Sequence, residues 1–347
     1  MELSSSLFGC SISPEPVTKV FIASFHGYCR LISTPIFPAN VFSYKGPGFP
    51  CRAQSRVVVA CSGLMTSSYP AIAKDQEDAA IVKSKDLLVV GPGVLGKLVA
   101  GLWMKEFTGS HVAGQTLTTN HHEELKAVGI KPLLKGNHNE KPFPFVLFCA
   151  PPSGSQDYAG ELRLASQLWN GEGVFLFTSS SAVYDCMDNG DCDENTPIVP
   201  LGRSPRTDVI LTAEKEVLKV GGTVVRLAGL YTRDRGAHIY WLKRGTVDSR
   251  PDHIVNLIHY EDAASLCVTI MKKGFRNDVF MGCDNHPLSR HEIMDIITES
   301  GKFGDKFQGF TGTDGPLGKK MNCNRTREMT GWQPRHASFA EFVRMEA

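Results

Sequence analysis

The chain has 347 residues, of which 42% are apolar and 21% are charged, and its formal net charge is +1. This composition is that of a globular protein, and it excludes a collagen, a coiled coil or a chain that is disordered throughout. The near-zero charge gives no electrostatic reason to expect a nucleic acid or an anionic membrane as a partner. No apolar run reaches the roughly 18 residues of a membrane-spanning helix.

The N-terminal region has the composition of an organelle transit peptide. In the first 74 residues the only acids are Glu2 and Glu15, whereas serines and basic residues are frequent. Such acid-poor, serine-rich leaders direct proteins to chloroplasts or mitochondria. Because residues 56–61 resemble a stromal processing site, we predict a transit peptide over residues 1–60, a linker over residues 61–84, and a location in the chloroplast stroma. The mitochondrion is the second choice, and an uncleaved N-terminal tail is the alternative.

Short apolar runs alternate with amphipathic segments from residue 85 onward. The predicted strands are Leu87–Val90, Val112–Leu117, Phe145–Ala150, Val174–Phe177 and Thr223–Leu227. The predicted helices between them are Val94–Phe107, Glu123–Val128 and Tyr158–Trp169. Strands that are apolar along their whole length and alternate with helices indicate an α/β protein with a parallel sheet covered on both faces.

The alternation loosens after Tyr231. A strand end followed by a helix is predicted over Ile258–Met271, and residues 315–320 are predicted to form a loop. Ser289 and Glu292 have the spacing of a capping box that begins a helix.

A G-x-G-x-x-G pattern lies directly after the first strand and begins the first helix. Its glycines are Gly91, Gly93 and Gly96. The first permits a tight turn, the second lets the backbone approach a diphosphate, and the third lets the helix pack close to the strand. The N-terminus of the helix then offers free N–H groups to the phosphates. This context predicts a dinucleotide-binding turn in a Rossmann-type doubly wound sheet.

The acid that reads the adenosine ribose in NAD-specific sheets is absent from the end of the second strand. No Asp or Glu occurs between Glu106 and Glu123, and the strand end offers neutral groups such as Thr116, Thr118 and Thr119. Neutral hydroxyls tolerate a 2′-phosphate better than a carboxylate does, which favours NADP over NAD. No Lys or Arg stands at this strand end to bind the phosphate, so NAD stays open.

Further motifs, taken with the glycine turn, resemble the extended short-chain dehydrogenase/reductase family, also described as NAD-dependent epimerase/dehydratase-like. One is the run Phe177-Thr-Ser-Ser-Ser-Ala-Val-Tyr184, which matches the Ser/Thr-rich end of that family's fifth strand. The other matching segments follow in order at Asp193–Pro197, Val225–Tyr231, Asn256–Asp262 and Asn324–Pro334. The resemblance covers residues 85–345. It implies a dinucleotide-binding domain over residues 85–230 and a small C-terminal substrate lobe over residues 231–347, interleaved with the last strands.

The resemblance also implies site residues. Ser180 matches the family's active-site Ser/Thr, and Tyr184 is a second catalytic candidate. The implied cofactor-binding residues are Gly91, Gly93, Val94, Leu95, Gly96, Thr118, Thr119, Ala150, Pro151, Ser179, Ser180, Ala228, Gly229 and Leu230. No metal site is predicted: the His-His-Glu-Glu run at 121–124 is not H-E-x-x-H, and His259 is interpreted as a structural histidine.

One departure from the family concerns proton transfer. Members that transfer hydride use a Tyr-x-x-x-Lys pair on the helix after the serine strand, where the lysine lowers the pKa of the tyrosine. No tyrosine occurs between Tyr184 and Tyr231, and the two possible registers place either Leu211 and Lys215 or Arg206 and Ile210 at the pair. The sequence therefore resembles an atypical member, most like the bacterial YeeZ-like group, which also lacks the pair.

Two function classes remain open. The first is an NAD(P)-dependent oxidoreductase or epimerase-like enzyme that acts on an unknown small polar substrate. The second is a non-catalytic NAD(P)-binding sensor whose occupancy is read by a partner. A hydrolase is disfavoured because no G-x-S-x-G elbow frames Ser180. By analogy with relatives, the helices after Pro151 and near Glu214 could form a homodimer face.

Overall fold

The computed structural model describes residues 82–136, 140–304 and 306–345. The predicted transit peptide over residues 1–60 and nearly all of the predicted linker over residues 61–84 lie outside the described residues.

The described residues form fifteen strands and nine α-helices. The strands are β1 (Leu87–Val90), β2 (Val112–Thr116), β3 (Lys131–Leu134), β4 (Phe145–Phe148), β5 (Phe175–Ser180), β6 (Asp188–Cys192), β7 (Thr223–Leu227), β8 (Gly229–Tyr231), β9 (Thr246–Val247), β10 (Ile254–Val255), β11 (Leu257–His259), β12 (Val279–Gly282), β13 (Leu288–Ser289), β14 (Gly309–Phe310) and β15 (Gly318–Met321). The helices are α1 (Val94–Glu106), α2 (His122–Ala127), α3 (Tyr158–Ser166), α4 (Pro205–Lys219), α5 (Ala237–Arg244), α6 (Tyr260–Lys272), α7 (Arg290–Ser300), α8 (Asn324–Thr330) and α9 (Phe339–Met345). A 3-10 turn covers Ser181–Val183.

Seven parallel strands form the central sheet in the order β12-β7-β5-β4-β1-β2-β3. From β1 the chain adds β2 and β3 on one side and then returns to add β4 on the other, so the direction of winding reverses between β1 and β4. Doubly wound sheets bind ligands outside the carboxyl ends of their strands at such a switch point. The predicted fold class, an α/β Rossmann-type doubly wound sheet, is confirmed.

Burial explains why the central strands are apolar along their whole length. All four residues of β1 and all four of β4 are buried, because helices cover both faces of the sheet. Helices α1 and α6 pack together on one face, and α3 and α4 pack together on the other. The five predicted strands and three predicted helices of this region are present, with ends shifted by at most three residues.

The C-terminal part of the chain contributes to two layers. Strand β12 joins the central sheet, whereas β10, β13 and β15 form a second sheet with β6, in the order β13-β10-β15-β6. Two short parallel pairs, β11 with β8 and β14 with β9, complete the sheets. A separate apolar cluster, which includes Tyr231, Trp241, Ile293 and Phe339, lies beneath α5, α7 and α9.

Two expectations for this region have different outcomes. The capping box of Ser289 and Glu292 is confirmed at the start of α7. The predicted loop over residues 315–320 is wrong at its end, because Gly318–Met321 forms β15 between β10 and β6. Within the described residues, every helix is too short or too polar to cross a lipid bilayer.

Candidate functional site

The turn between β1 and α1 requires glycine at its first position. Gly91 has a φ of +82°, in the left-handed region that side chains with a Cβ rarely adopt. A Cβ at this position would also lie 2.6 Å from backbone atoms of Ala150, which follows β4. The turn therefore fits tightly against the end of β4, at the switch point of the sheet.

Gly93 and Gly96 have different environments. A Cβ on Gly93 would meet nothing closer than the Gly91 carbonyl oxygen at 4.0 Å, so a side chain there would project into open space. A Cβ on Gly96 would lie 2.8 Å from Val89 Cγ1 and 3.0 Å from Cys149 Sγ. Gly96 thus allows close packing of α1 on β1 and β4, whereas Gly93 keeps the space in front of the turn clear.

The N-terminus of α1 is available to bind an anion. Gly93 is its N-cap, no side chain accepts a hydrogen bond there, and the first turn contains no acid. The first N–H groups of a helix lack partners within the helix, and they carry the positive end of its dipole. A phosphate in front of Gly93 would accept hydrogen bonds from these groups.

A cavity of about 860 Å³ lies in front of this turn. This volume is within the usual range for small-molecule sites. Of the predicted cofactor-binding residues, the following line the cavity: Gly91, Gly93, Val94, Thr118, Ala150 and Pro151. The others, which lie outside its lining, are Leu95, Gly96, Thr119, Ser179, Ser180, Ala228, Gly229 and Leu230.

Charged side chains that were not predicted as site residues from the sequence line the same cavity. Lys97 comes from α1, Glu124 from α2 and Arg235 from the loop after β8. Lys135 and Glu161, which also line the cavity, form an ion pair at 3.1 Å. Lys97 directly follows the third glycine of the motif, and this adjacency was the available signal. Glu124 and Arg235 reach the cavity only through the fold.

Glu124 is the centre of a small charged cluster at the β2 end of the cavity. Its Oε1 accepts a hydrogen bond from Lys97 Nζ, and its Oε2 lies 3.2 Å from His121 Nδ1. The hydrogen bond from Lys97 lowers the pKa of the Glu124 carboxyl below its usual value. The sequence around β2 does not reveal Lys97 and Glu124 as neighbours of its end, because both arrive from helices rather than from the strand.

Ser180 ends β5 at the carboxyl edge of the sheet. It lies opposite Leu227 in the register of β5 with β7, so Ala228 follows directly on the neighbouring strand. Ser180 is half-buried, and its Oγ accepts a hydrogen bond from the Ala182 N–H at 3.2 Å. The hydroxyl hydrogen is left to donate elsewhere. Ser179, in contrast, is buried and donates its hydroxyl to Glu214.

Tyr184 is completely buried, with a relative exposure of 0%. The Arg226 guanidinium lies 4.8 Å from its ring centroid, and Lys319 Nζ lies 5.9 Å away. Burial raises the pKa of the phenol to about 12. A phenol with this environment is a poor proton donor near neutral pH and has no open path to a ligand.

Neither register of the expected Tyr-x-x-x-Lys pair brings a suitable pair of side chains together. On α4, Leu211 and Ile210 are buried, whereas Lys215 and Arg206 are exposed. Among the described residues, no tyrosine lines the cavity.

His259 has a structural role. Its ring caps the N-terminus of α6, where Nδ1 accepts a hydrogen bond from the Glu261 N–H at 3.3 Å. His259, Glu261 and His336 offer ligand atoms within 4.8 Å of one another. However, the imidazole rings of His259 and His336 contact each other directly, with centroids 3.8 Å apart and planes inclined by 43°. Because the group also lies at the positive end of the α6 dipole, we assign no metal ion to it.

No protein-family profile matches this chain. No curated protein matches it by sequence.

Solved structures do match the fold. A protein of unknown function from Silicibacter pomeroyi is 20% identical, with a TM-score of 0.61 over 75% of this chain and 96% of its own. The dTDP-glucose 4,6-dehydratase of Bacillus anthracis, solved with NAD, is 14% identical with a TM-score of 0.61, over 75% and 94%. The UDP-glucuronic acid 4-epimerase of Bacillus cereus, solved with UDP-glucuronic acid and NAD, is 15% identical with a TM-score of 0.61, over 75% and 97%. The chain therefore shares the Rossmann-type α/β fold of NAD-dependent epimerases and dehydratases.

Proposed function

We propose that the chain binds NADP or NAD along the carboxyl edge of its central sheet and uses it as an atypical short-chain dehydrogenase/reductase. The reaction would be a reduction, oxidation or epimerisation of a small polar molecule. One observation carries the proposal: the Gly91–Gly96 turn opens on a cavity of about 860 Å³ with no side chain in front of Gly93. The similar structures solved with NAD support the same reading.

The residues present fit a diphosphate. The N–H groups of the first turn of α1 have no side-chain cap, and no acid in that turn repels an anion. Arg235 lines the same cavity and provides a positive charge that can neutralise a phosphate. The adenosine half of the cofactor would then extend towards the end of β2, where Thr118 lines the cavity.

The catalytic half would lie near Ser180. A bound nicotinamide would supply the hydride donor or acceptor. The Ser180 hydroxyl would donate a hydrogen bond to a substrate carbonyl, because its oxygen already accepts one from Ala182. The proton that completes a reduction would come from water or from the substrate, since the Tyr184 hydroxyl is buried. Tyr184 would become a third source only if its ring left its packed position.

The same burial favours a second candidate function. A protein without an accessible proton donor beside its cofactor can act as a non-catalytic sensor that reports NAD(P) to a partner. The complete burial of Tyr184 supports this alternative, as does the apolar, buried Leu211 at the position where one register would place the tyrosine.

Cofactor binding is tested by Gly93→Val. The valine would project into the space in front of the turn, and the φ of −77° at this position lies outside the left-handed region that favours glycine. We expect the variant to keep the thermal unfolding temperature of the wild type and to lose the fluorescence change that NADH or NADPH produces on binding. Gly101→Ala on the same helix, where a Cβ meets no atom within 4 Å, is the matched control. Wild-type protein that binds neither dinucleotide would refute the proposal.

Turnover separates the enzyme from the sensor. Purified protein with NADPH or NADH is incubated with nucleotide sugars, aldehydes and quinones, and cofactor oxidation is followed by absorbance. Nucleotide sugars belong in the panel because one similar structure contains UDP-glucuronic acid. Turnover that Ser180→Ala abolishes supports the enzyme. Tight cofactor binding without oxidation by any compound supports the sensor.

We also propose that the protein acts in the chloroplast stroma. The support is the acid-poor, serine-rich composition of residues 1–60. Fusing these residues to a fluorescent protein and imaging plant cells tests the location, and mitochondrial fluorescence would favour the second choice.

A homodimer through α3 and α4 is a further proposal. Leu164 on α3 is 52% exposed and Val209 on α4 is 41% exposed, so these two packed helices both present an apolar side chain to solvent. Light scattering of the wild type and of Val209→Glu tests the dimer, which the charged variant should dissociate.

A further inference from the structure

Three side chains at the β2 end of the cavity form what we term the Lys97 cluster: Lys97, His121 and Glu124. Lys97 lies in the first turns of α1, His121 directly precedes α2, and Glu124 lies within α2. Both basic groups face one carboxylate, with Lys97 Nζ bonded to Oε1 and His121 Nδ1 3.2 Å from Oε2. Two cationic or potentially cationic groups are thus already gathered around one anion.

The cluster shares its cavity with the glycine turn. Strands β1 and β2 pair in register, and the Gly91 N–H donates to the Gln115 carbonyl at 3.1 Å. Lys97 is also tied to the turn, because its N–H donates to the Gly93 carbonyl at 2.9 Å. In dinucleotide-binding sheets the adenosine ribose lies beside the end of this second strand when the diphosphate occupies the turn. The cluster therefore lies where the ribose 2′ position would be.

We infer that Lys97 and His121 bind the 2′-phosphate of NADP, and that Glu124 holds these two groups in the absence of cofactor and is displaced by the phosphate. This inference rests on the proposed function, because it assigns a role within the same cofactor cavity. It makes NADP the preferred cofactor. It also explains how a chain whose β2 strand does not end in a basic residue can bind the 2′-phosphate of NADP.

The charges favour displacement of the Glu124 carboxylate by the 2′-phosphate. A 2′-phosphate carries more negative charge than one carboxylate and has three acceptor oxygens, so it can bind both basic groups at once. The Glu124 side chain is 52% exposed and that of Lys97 is 30% exposed, and ion pairs this accessible to solvent are weak. Glu124 can therefore turn into solvent at little cost once a stronger anion arrives.

The remaining charges around the cavity do not repeat this arrangement. Lys135 is already balanced by Glu161 at 3.1 Å. Arg235 also lines the cavity, and it comes from the loop after β8 rather than from α1 or α2. Lys135 also lies beside the end of β2, because its N–H donates to the Thr116 carbonyl at 2.9 Å. Its partner Glu161, however, accepts a hydrogen bond from Ser155 Oγ at 2.8 Å and is only 22% exposed, so it is less able than Glu124 to turn into solvent.

The experiment compares two ligand pairs by calorimetry on full-length protein: NADPH with NADH, and 2′,5′-ADP with ADP. The variants are Lys97→Met and Glu124→Gln. Matched controls are Lys105→Met, an exposed lysine on the same helix, and Glu123→Gln, the exposed neighbour that pairs with Lys126 instead. Thermal unfolding of every variant shows that it is folded.

We expect the wild type to bind NADPH more tightly than NADH. Lys97→Met should weaken NADPH and 2′,5′-ADP about tenfold, the size of one charge-assisted contact, while NADH and ADP change less than about twofold. Glu124→Gln should tighten NADPH and 2′,5′-ADP, because the competing anion is gone. The two controls should leave the NADPH-to-NADH ratio unchanged.

Other results would overturn the inference. The wild type could instead prefer NADH, and Glu124→Gln could weaken the binding of NADH. In that case Glu124 accepts hydrogen bonds from the ribose diol, and the cofactor is NAD. If Lys105→Met lowers NADPH binding as much as Lys97→Met does, the effect is general electrostatics rather than a phosphate contact. Failure of the wild type to bind any of the four ligands refutes the proposed function itself, so the two failures are distinguishable.

Discussion

Glu214 on α4 and Arg226 on β7 form a buried ion pair with two parallel hydrogen bonds. Arg226 Nε donates to Oε1 at 3.0 Å, and a terminal nitrogen donates to Oε2 at 2.7 Å. The Ser179 hydroxyl donates a further hydrogen bond to Glu214 Oε1. The pair links α4 to the central sheet at Ser179, the residue before Ser180.

Breaking this pair from one side should be strongly destabilising. Arg226→Met leaves the Glu214 carboxylate buried without its cation, and such changes cost about 3–5 kcal/mol. We expect a loss of this size in urea unfolding, whereas Arg206→Met, an exposed arginine on α4, should change little. The double variant Arg226→Met with Glu214→Leu should lose less than the two single variants together. Strictly additive losses would show that the two groups do not act as a pair.

Lys319 should be required for the turn that follows Ser180. Its buried Nζ donates to the carbonyls of Ser181 at 3.0 Å and Tyr184 at 2.8 Å, and burial lowers its pKa below the usual lysine value. Lys319→Met removes the donor from both carbonyls and should cost roughly 1–3 kcal/mol in urea unfolding. Lys320→Met, the exposed neighbour on β15, is the control and should stay within about 0.5 kcal/mol of the wild type. Equal losses in the two variants would contradict the role given to Lys319.

The central strands were predictable because local sequence determines them. β1 and β4 are short apolar runs bounded by turn residues, and burial on both faces requires such runs. β3 was missed because it is an edge strand that contains Pro132 and is mostly exposed. β6 was missed because its residues, Asp188–Cys192, are polar and become a strand only by pairing with β15.

Some residues of the candidate site were likewise predictable from local sequence, and others were not. The glycine turn was predictable because its three glycines and the helix that follows are contiguous. The Lys97 cluster was not, because Lys97 and Glu124 are brought together by two different helices. Arg226 and Glu214 lie on different elements, and a glutamate in an amphipathic helix usually indicates an exposed position. Side chains that meet only through tertiary packing leave no periodic pattern in the sequence.

Gly91 should be necessary for folding rather than only for binding. A Cβ there would lie 2.6 Å from the backbone of Ala150, and the φ of +82° disfavours any residue but glycine. We expect Gly91→Ala to lower the free energy of unfolding by about 2 kcal/mol or more. In contrast, Gly101→Ala should raise it by roughly 0.5–1 kcal/mol, because alanine is the better residue inside a helix. A Gly91→Ala protein as stable as the wild type would show that the turn can move away from β4.

Asp284 should make the stability of the protein depend on pH. It is 2% exposed, and burial raises the pKa of its carboxyl to about 7 from an ordinary value of 3.8. Between these two pH values the unfolded chain has an ionised Asp284 while the folded chain keeps it protonated. The folded state then binds more protons, so this residue's contribution to stability falls as pH rises from about 4 to about 7.

Asp284→Asn removes the titration while keeping a side-chain oxygen for the His286 N–H, which Oδ1 accepts at 2.9 Å. The stability of the variant relative to the wild type should therefore increase from pH 4 to pH 7, by up to about 4 kcal/mol, and then level off. Urea unfolding at several pH values between 4.5 and 8 measures this difference. Asp248→Asn, at an exposed position, should give a flat difference over the same range. A flat difference for Asp284→Asn as well would mean that the folded protein already holds this carboxylate in its charged form.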